Sequence, residues 1–137
     1  MRYLLDTNIC IYLTRHDPPS VRARFATLNE GDAVMSSVTY AELFLGVELD
    51  VSQRARQLRV LNALSGSVAS LPFDDDAARS YARLTASAPE RRKNILDRMI
   101  AAHAIALDVT LVTNNERDFL GYVETGGLRV ENWVSQA

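Results

Sequence analysis

Short apolar runs alternate along this chain with longer stretches in which apolar residues recur every three or four positions. Arg2–Leu5 reads as a strand, and Thr7–Thr14 as a helix that fades at Asp17-Pro18-Pro19. Ser20–Leu28 continues as a helix, with Val21, Phe25 and Leu28 at helical spacing. Asn29-Glu30-Gly31-Asp32 is a turn signal. Ala33–Ser36 is a second strand and Tyr40–Leu49 a helix. Ser52–Leu64 is helical, with Leu58, Leu61 and Leu64 on one side and Arg54, Arg56 and Arg59 largely on others. Val68–Leu71 is a third strand closed by Pro72. Asp75–Ala86 and Ile95–Leu107 are helices, Thr110–Val112 is a fourth strand, and Leu128–Val130 is a short last one before Trp133.

Strands separated by such helices pair in parallel through right-handed crossovers and are covered on both faces. The expected fold class is α/β: a three-layer α/β/α sandwich around a central parallel sheet of four to five strands, one domain over residues 1–137. In such sheets ligands bind outside the carboxyl ends of the strands. The functional question is therefore which polar residues stand at those ends.

Composition narrows the answer. At 137 residues the chain suits one domain with one core. Apolar residues make up 47% and charged residues 23%, the balance of a globular protein. A net charge of −2 argues against a basic coat for non-specific nucleic-acid binding, though not against a local basic patch. The single Cys10 cannot form an internal disulfide and reads as core. The expectation is a cytoplasmic protein: the start is no signal peptide, and no apolar run approaches the roughly 20 residues that span a bilayer.

Acids stand at four stations. Asp6 follows the first strand. Glu42 lies in the first turn of the next helix, in "SSVTYAEL". Asp97 is near the start of another, in "NILDRMIAAHA". The fourth strand runs into "VTNNERDF", which offers Asn115, Glu116 and Asp118. Each acid has a purely structural reading. Asp6 can cap the helix it precedes. Thr39-x-x-Glu42, Asn94-x-x-Asp97 and Thr113-x-x-Glu116 resemble capping boxes. First-turn acids gain about 0.3–1 kcal/mol from the helix dipole.

Together the four weigh differently. Asp6 and Asp97 sit in apolar sequence, so both should be half-buried. Carboxylates sharing a pocket raise one another's pKa unless a cation neutralises them. Hard oxygen donors without a His or Cys cluster select Mg²⁺ or Mn²⁺. Mg²⁺ keeps several waters, leaving positions for phosphate oxygens and an attacking water. That is phosphodiester hydrolysis chemistry.

"LLDTN", "SSVTYAELFLGVE", "LDRMIAAHAIA" and "LVTNNERDF…LRVENW" resemble, in order and over nearly the whole chain, the successive motifs of PIN-domain ribonucleases. The likeness is greatest to the VapC-type toxins of toxin–antitoxin pairs. The resemblance implies a PIN-like fold and a Mg²⁺- or Mn²⁺-dependent endoribonuclease cutting RNA, with tRNA or rRNA as the family's targets. It also implies inhibition by a cognate VapB-like antitoxin and homodimers, while the lack of a long apolar run adds the expectation of no membrane partner. Carried onto this chain, it makes Asp6, Glu42 and Asp97 the main metal-binding acids. Where many relatives have Asp the chain has Asn115, and Asp118 becomes the fourth carboxylate. Thr7, Asn8, Thr113, Asn115 and Glu116 are supporting candidates that orient ligands or waters, or serve as ordinary caps. "ERRKNILD" replaces a Gly-Pro-rich approach, placing Arg91, Arg92 and Lys93 beside the site as RNA-phosphate contacts or a solvated charge run. Arg98 joins that RNA-binding set.

His103 reads as a core or interface histidine and His16 as surface. Tyr40, Phe44 and Leu45, with the arginine-bearing helix after them, are candidates for a groove receiving the antitoxin. Besides a toxin that cleaves DNA rather than RNA, two rivals stand beside this reading. One is a phosphotransfer enzyme with Asp6 as nucleophile, which needs a lysine partner, and Lys93 is the only lysine. The other is a catalytically inactive PIN-like binding module, against which the acids at all stations speak.

Overall fold

Alternate residues of one short strand face two separate cores, and this makes the molecule three layers thick. In a computed structural model, which describes residues 1–134, Tyr3–Leu5 forms β1. Residues 135–137 of the expected domain span lie outside the described residues. Leu4 enters one apolar cluster with Val34, Ile100, Leu111 and Phe119. Tyr3 and Leu5 enter the other with Ile9, Met35, Leu64, Val112 and Trp133. The strand side-chain period of two thus buries both faces. Each fully buried Leu or Ile contributes about 1.5–3 kcal/mol relative to exposure.

The elements follow in order: α1 (Thr7–Arg15), α2 (Pro19–Ala26), β2 (Ala33–Ser36), α3 (Ser37–Leu49), a 3₁₀ turn (Val51–Gln53), α4 (Arg54–Ser67), β3 (Ala69–Leu71), α5 (Asp75–Ala86), α6 (Ile95–Leu107), β4 (Thr110–Val112), α7 (Glu116–Gly126) and β5 (Val130–Glu131). The five strands are all parallel, in the order β3-β2-β1-β4-β5. The expected α/β sandwich is therefore the observed one. No described helix is long and apolar enough to cross a membrane.

Several boundaries differ from the sequence expectation. The helix expected from Tyr40 begins at Ser37, because Ser36 ends β2 and caps α3, its hydroxyl accepting from Val38 N at 3.1 Å. The helix expected over Ser52–Leu64 splits into the 3₁₀ turn and α4, which runs on to Ser67. The last strand shifts from Leu128–Val130 to Val130–Glu131. The sequence reading left 116–126 without any element, and the structure has α7 there. Gly126 lets α7 sit tight on its neighbours: a Cβ there would lie 2.6 Å from Leu84 Cδ2 and 3.2 Å from Ile105 Cδ1. Gly127, at φ +72°, then ends the helix in a conformation that favours glycine.

Candidate active site

The strand order reverses direction at β1, which has β2 and β3 on one side and β4 and β5 on the other. The crevice between β1 and β4 is the switch point of this sheet, the usual place for a ligand in a parallel α/β fold. Asp6 leaves β1 there, tied to β4 by its backbone N donating to Val112 O at 2.9 Å. It is only 6% exposed.

Both Asp6 oxygens are held. Oδ1 accepts from Thr7 N at 2.8 Å, which caps α1, so the structural role expected of this acid is real. Oδ2 accepts from the fully buried Thr113 Oγ1, also at 2.8 Å. Burial nevertheless pushes the Asp6 pKa above its ordinary value. The two hydrogen bonds act against that rise, and the charges of Glu42 and Asp118 add to it.

Thr7 links the first acid to the second. Its hydroxyl donates to Glu42 Oε1 at 2.7 Å, with Thr39 Oγ1 3.4 Å away. Glu42 is half-buried on α3. Since α3 starts at Ser37, Glu42 lies in its second turn and Thr39 is no cap, so the first capping box fails. The second fails because Asn94 sits at φ +55° and makes no side-chain cap bond. In the third, Thr113 precedes α7's cap residue Asn115 and serves Asp6 instead.

Asp97, in the first turn of α6, is half-buried. Its pKa is pushed up to about 6, first by burial and then by the charges of Asp6, Asp118 and Glu42. Asp118 stands in the first turn of α7, exposed, with Oδ2 accepting from Asn115 Nδ2. Asn115 is thus a support for Asp118. Glu116 turns to Asn132, whose Nδ2 donates to it at 3.3 Å. Among the described residues, Asn8 Oδ1 is buried without a hydrogen-bond partner.

Four acids thus share one field of mutual repulsion. Among the described residues no three His, Cys, Asp or Glu side chains close into a ready-made metal cage. The donor set is all oxygen, its negative charge is uncompensated, and one carboxylate is rigidly pre-oriented. That combination fits a hard cation bound through one or two carboxylates and otherwise through water. It does not fit zinc, for which the nearest histidine has another use. His103 is 1% exposed, its Nδ1 is 2.8 Å from Ser36 Oγ, and Phe73 packs edge-on at 5.5 Å between ring centroids. Burial lowers its pKa, and the charge of Asp74 partly offsets this. His16 is exposed at the end of α1.

The basic set divides. Arg91, Arg92 and Lys93 are exposed, and Lys93 pairs with Glu90 at 3.0 Å. Arg98 is a correction. It is 2% exposed and cannot reach RNA directly. Its guanidinium donates to three carbonyls of the preceding loop, those of Arg91 (2.9 Å), Glu90 (2.9 Å) and Lys93 (3.0 Å), and lies over the Tyr81 ring.

Two clefts open beside the acids. One runs between α1, α3 and α4 and carries Thr7, Glu42, Leu43, Arg56 and Leu64 on its walls. Of the residues expected to receive an antitoxin, Tyr40 and Phe44 are half-buried with ring centroids 5.9 Å apart, and Leu45 is exposed. The other cleft lies between the 88–94 loop and α7, with Asp118 on its wall. The sequence reading missed α7's part in this wall. Phe119, Tyr122 and Val123 at spacings of three and four were the available signal.

Comparison with known proteins follows the same lines. Residues 3–122 match the PIN domain family. The chain is 37% identical over 135 residues to the tRNA(fMet)-specific endonuclease VapC of Shigella flexneri, covering 97% of this chain and 98% of that one. It is 34% identical over 136 residues to ribonuclease VapC2 of Haemophilus influenzae, covering 98% and 99%. Among solved structures it is similar to VapBC-1 from nontypeable Haemophilus influenzae, with TM-score 0.85, 30% identity and coverage of 98% and 100%. It is also similar to VapBC2 from Rickettsia felis bound to a DNA fragment from their promoter, with TM-score 0.82, 29% identity and coverage of 97% and 99%.

Proposed function

The chain belongs to the PIN domain family, and on that footing we propose that it is the toxin of a toxin–antitoxin pair, a divalent-metal-dependent endoribonuclease acting on tRNA in the cytoplasm. One observation carries the reading. Asp6, buried at the switch point with both oxygens pre-oriented, has its pKa raised by the charges of Glu42 and Asp118 as well as by burial, and these three acids together raise that of Asp97. The tRNA preference rests on the names of similar proteins from Shigella flexneri and Salmonella typhimurium.

Asp6 and Asp97 would hold Mg²⁺ or Mn²⁺, with Glu42 and Asp118 completing the set directly or through water. When bound, such a cation lowers the pKa of a coordinated water and stabilises charge building on the phosphoryl oxygens. Thr113 and Thr7 keep Asp6 in one rotamer, so little reorganisation is needed as the substrate arrives. Thr7 also fixes the Glu42 carboxylate at the other side of the crevice. Arg91 and Arg92, exposed on the loop before α6, supply positive charge for the RNA backbone.

The inhibitory partner is a VapB-like antitoxin, since the similar structures are VapBC assemblies. Its seat is the cleft of α1, α3 and α4, beside the exposed Leu45. A homodimer belongs to the same proposal. The phosphotransfer alternative loses ground here: both Asp6 oxygens accept hydrogen bonds, and Lys93 pairs with Glu90.

Induced expression in a bacterial host tests the reading, with sequencing of new RNA 5′ ends. The wild type arrests growth and creates discrete tRNA ends, and Asp6→Asn does neither. Equal arrest by both proteins would remove the ribonuclease assignment from this site.

A further inference from the structure

The cleft between the 88–94 loop and α7 is not explained by the acids themselves. Its volume is about 250 Å³, below the roughly 300 Å³ at which drug-sized ligand pockets begin. That is the scale of one base with its sugar. We propose that this cleft is a substrate subsite that receives one nucleotide of the RNA strand next to the scissile phosphate. The proposal rests on the ribonuclease reading and deepens it.

Position is the first argument. Asp118, one of the four acids, lies on the cleft wall, so the cleft opens beside the acid cluster. Asn94 and Arg98, which flank Asp97 in the chain, lie on the same wall. A strand with its phosphate at the acids must pass this opening or the one beside Glu42.

Chemistry is the second. The walls combine flat apolar surface, Pro89 and the half-buried Tyr122, with amide and hydroxyl groups from Asn94 and Ser87. A base offers a π face and a polar edge, and such walls complement both. Among the described residues, Arg91 and Arg92 on this loop pair with no carboxylate, which leaves them for the phosphates on either side.

The third argument is that the wall is built. Among the described residues, Arg98 is a buried cation without a carboxylate partner. It anchors the loop through the carbonyls of residues 90, 91 and 93, while its Nε has no partner. Burying a guanidinium to hold three surface-loop carbonyls is costly unless the loop must keep one shape. Arg98 is thus a positioning residue for the subsite, not a contact to RNA.

Gly121 gives a clean test. It lies on the cleft wall in α7, and a Cβ there meets nothing within 4 Å. Gly121→Leu therefore fills the cleft without disturbing the core, and a leucine favours the helix more than glycine does. The probe is a tRNA(fMet) transcript, cleaved by the full chain with Mg²⁺, with Tm measured in parallel. Stacking of one base changes binding by about 5- to 150-fold, so Gly121→Leu should raise KM by about tenfold or more with Tm unchanged or higher. An abasic residue beside the cut should weaken wild-type cleavage similarly, with little further loss in Gly121→Leu, because both remove one contact.

Wild-type kcat/KM in a folded Gly121→Leu protein would overturn the subsite and leave the ribonuclease reading standing. So would unchanged cleavage with lost antitoxin inhibition, which would make the cleft a protein-docking site. Absence of cleavage by the wild type, with Asp6→Asn indistinguishable from it, would instead remove the ribonuclease reading and the subsite with it.

Discussion

Asp97 should make the metal-free protein less stable than its amide analogue. The carboxyl makes no hydrogen bond to the protein among the described residues, and its pKa stands at about 6 against an ordinary 3.8. Between those two pH values the folded chain keeps a proton that the unfolded chain has lost. The folded state therefore binds more protons, and stability falls as pH rises through that interval. The interval corresponds to at most about 3 kcal/mol at 1.36 kcal/mol per pH unit. Asp97 is only half-buried, so solvent screening reduces this to about 1 kcal/mol. Replacing it with Asn also loses a few tenths of favourable interaction with the helix N-terminus. Asp97→Asn should then raise the Tm of the metal-free protein at pH 7.5 by about 2 °C. The gain should shrink as pH falls through that interval, to about a third at pH 4.5, and should vanish only below the unfolded carboxyl's 3.8. Added Mg²⁺ should reverse the order, because the wild type gains binding energy that the variant lacks. Thermal unfolding in chelator and in Mg²⁺, at both pH values, reads all of this. A variant less stable than wild type at pH 7.5 without metal, or a difference indifferent to pH, would refute the repulsion argument.

Two further outcomes follow from the same site. Thr113→Val removes the hydroxyl 2.8 Å from Asp6 Oδ2 at nearly constant volume, and loss of such a supporting bond should reduce activity about 10- to 100-fold. Steady-state cleavage at saturating Mg²⁺ checks it, and wild-type activity would show that Asp6 needs no second anchor. His103 is buried with a lowered pKa, so below about pH 6.5 the unfolded chain takes up a proton that the folded chain refuses, and stability falls with acidification. His103→Asn should cost about 1–3 kcal/mol at pH 7.5 through the imperfect bond to Ser36, and denaturant titrations should show its extra acid sensitivity gone. An unchanged acid slope would place the titration elsewhere.

Much of this site can be read from the chain because β-strands of three or four residues leave little room for error about where they end. The apolar run Tyr3–Leu5 stops on Asp6, and in a parallel sheet that position is the carboxyl edge. The helices Asp75–Ala86 and Ile95–Leu107 fall where periodicity puts them, since each carries a continuous apolar face. What escapes the sequence depends on partners remote in it. Arg98 beside Asp97 looks like a surface cation, but carbonyls five to eight residues earlier bury it. The helix Glu116–Gly126 is masked by Gly121 and Gly126, and only its tight packing on Leu84 explains the second glycine. The capping boxes mislead because strand ends, fixed by sheet pairing, decide where α3 starts.

The proposed activity is RNA cleavage by Asp6 and the three acids beside it through a divalent cation. Its most direct test is cleavage of a tRNA(fMet) transcript by the purified protein as Mg²⁺ or Mn²⁺ is titrated, with Asp6→Asn in parallel. Excess chelator should abolish cleavage, either ion should restore it, and no ion concentration should rescue Asp6→Asn. Full cleavage in chelator, or by Asp6→Asn, would contradict it.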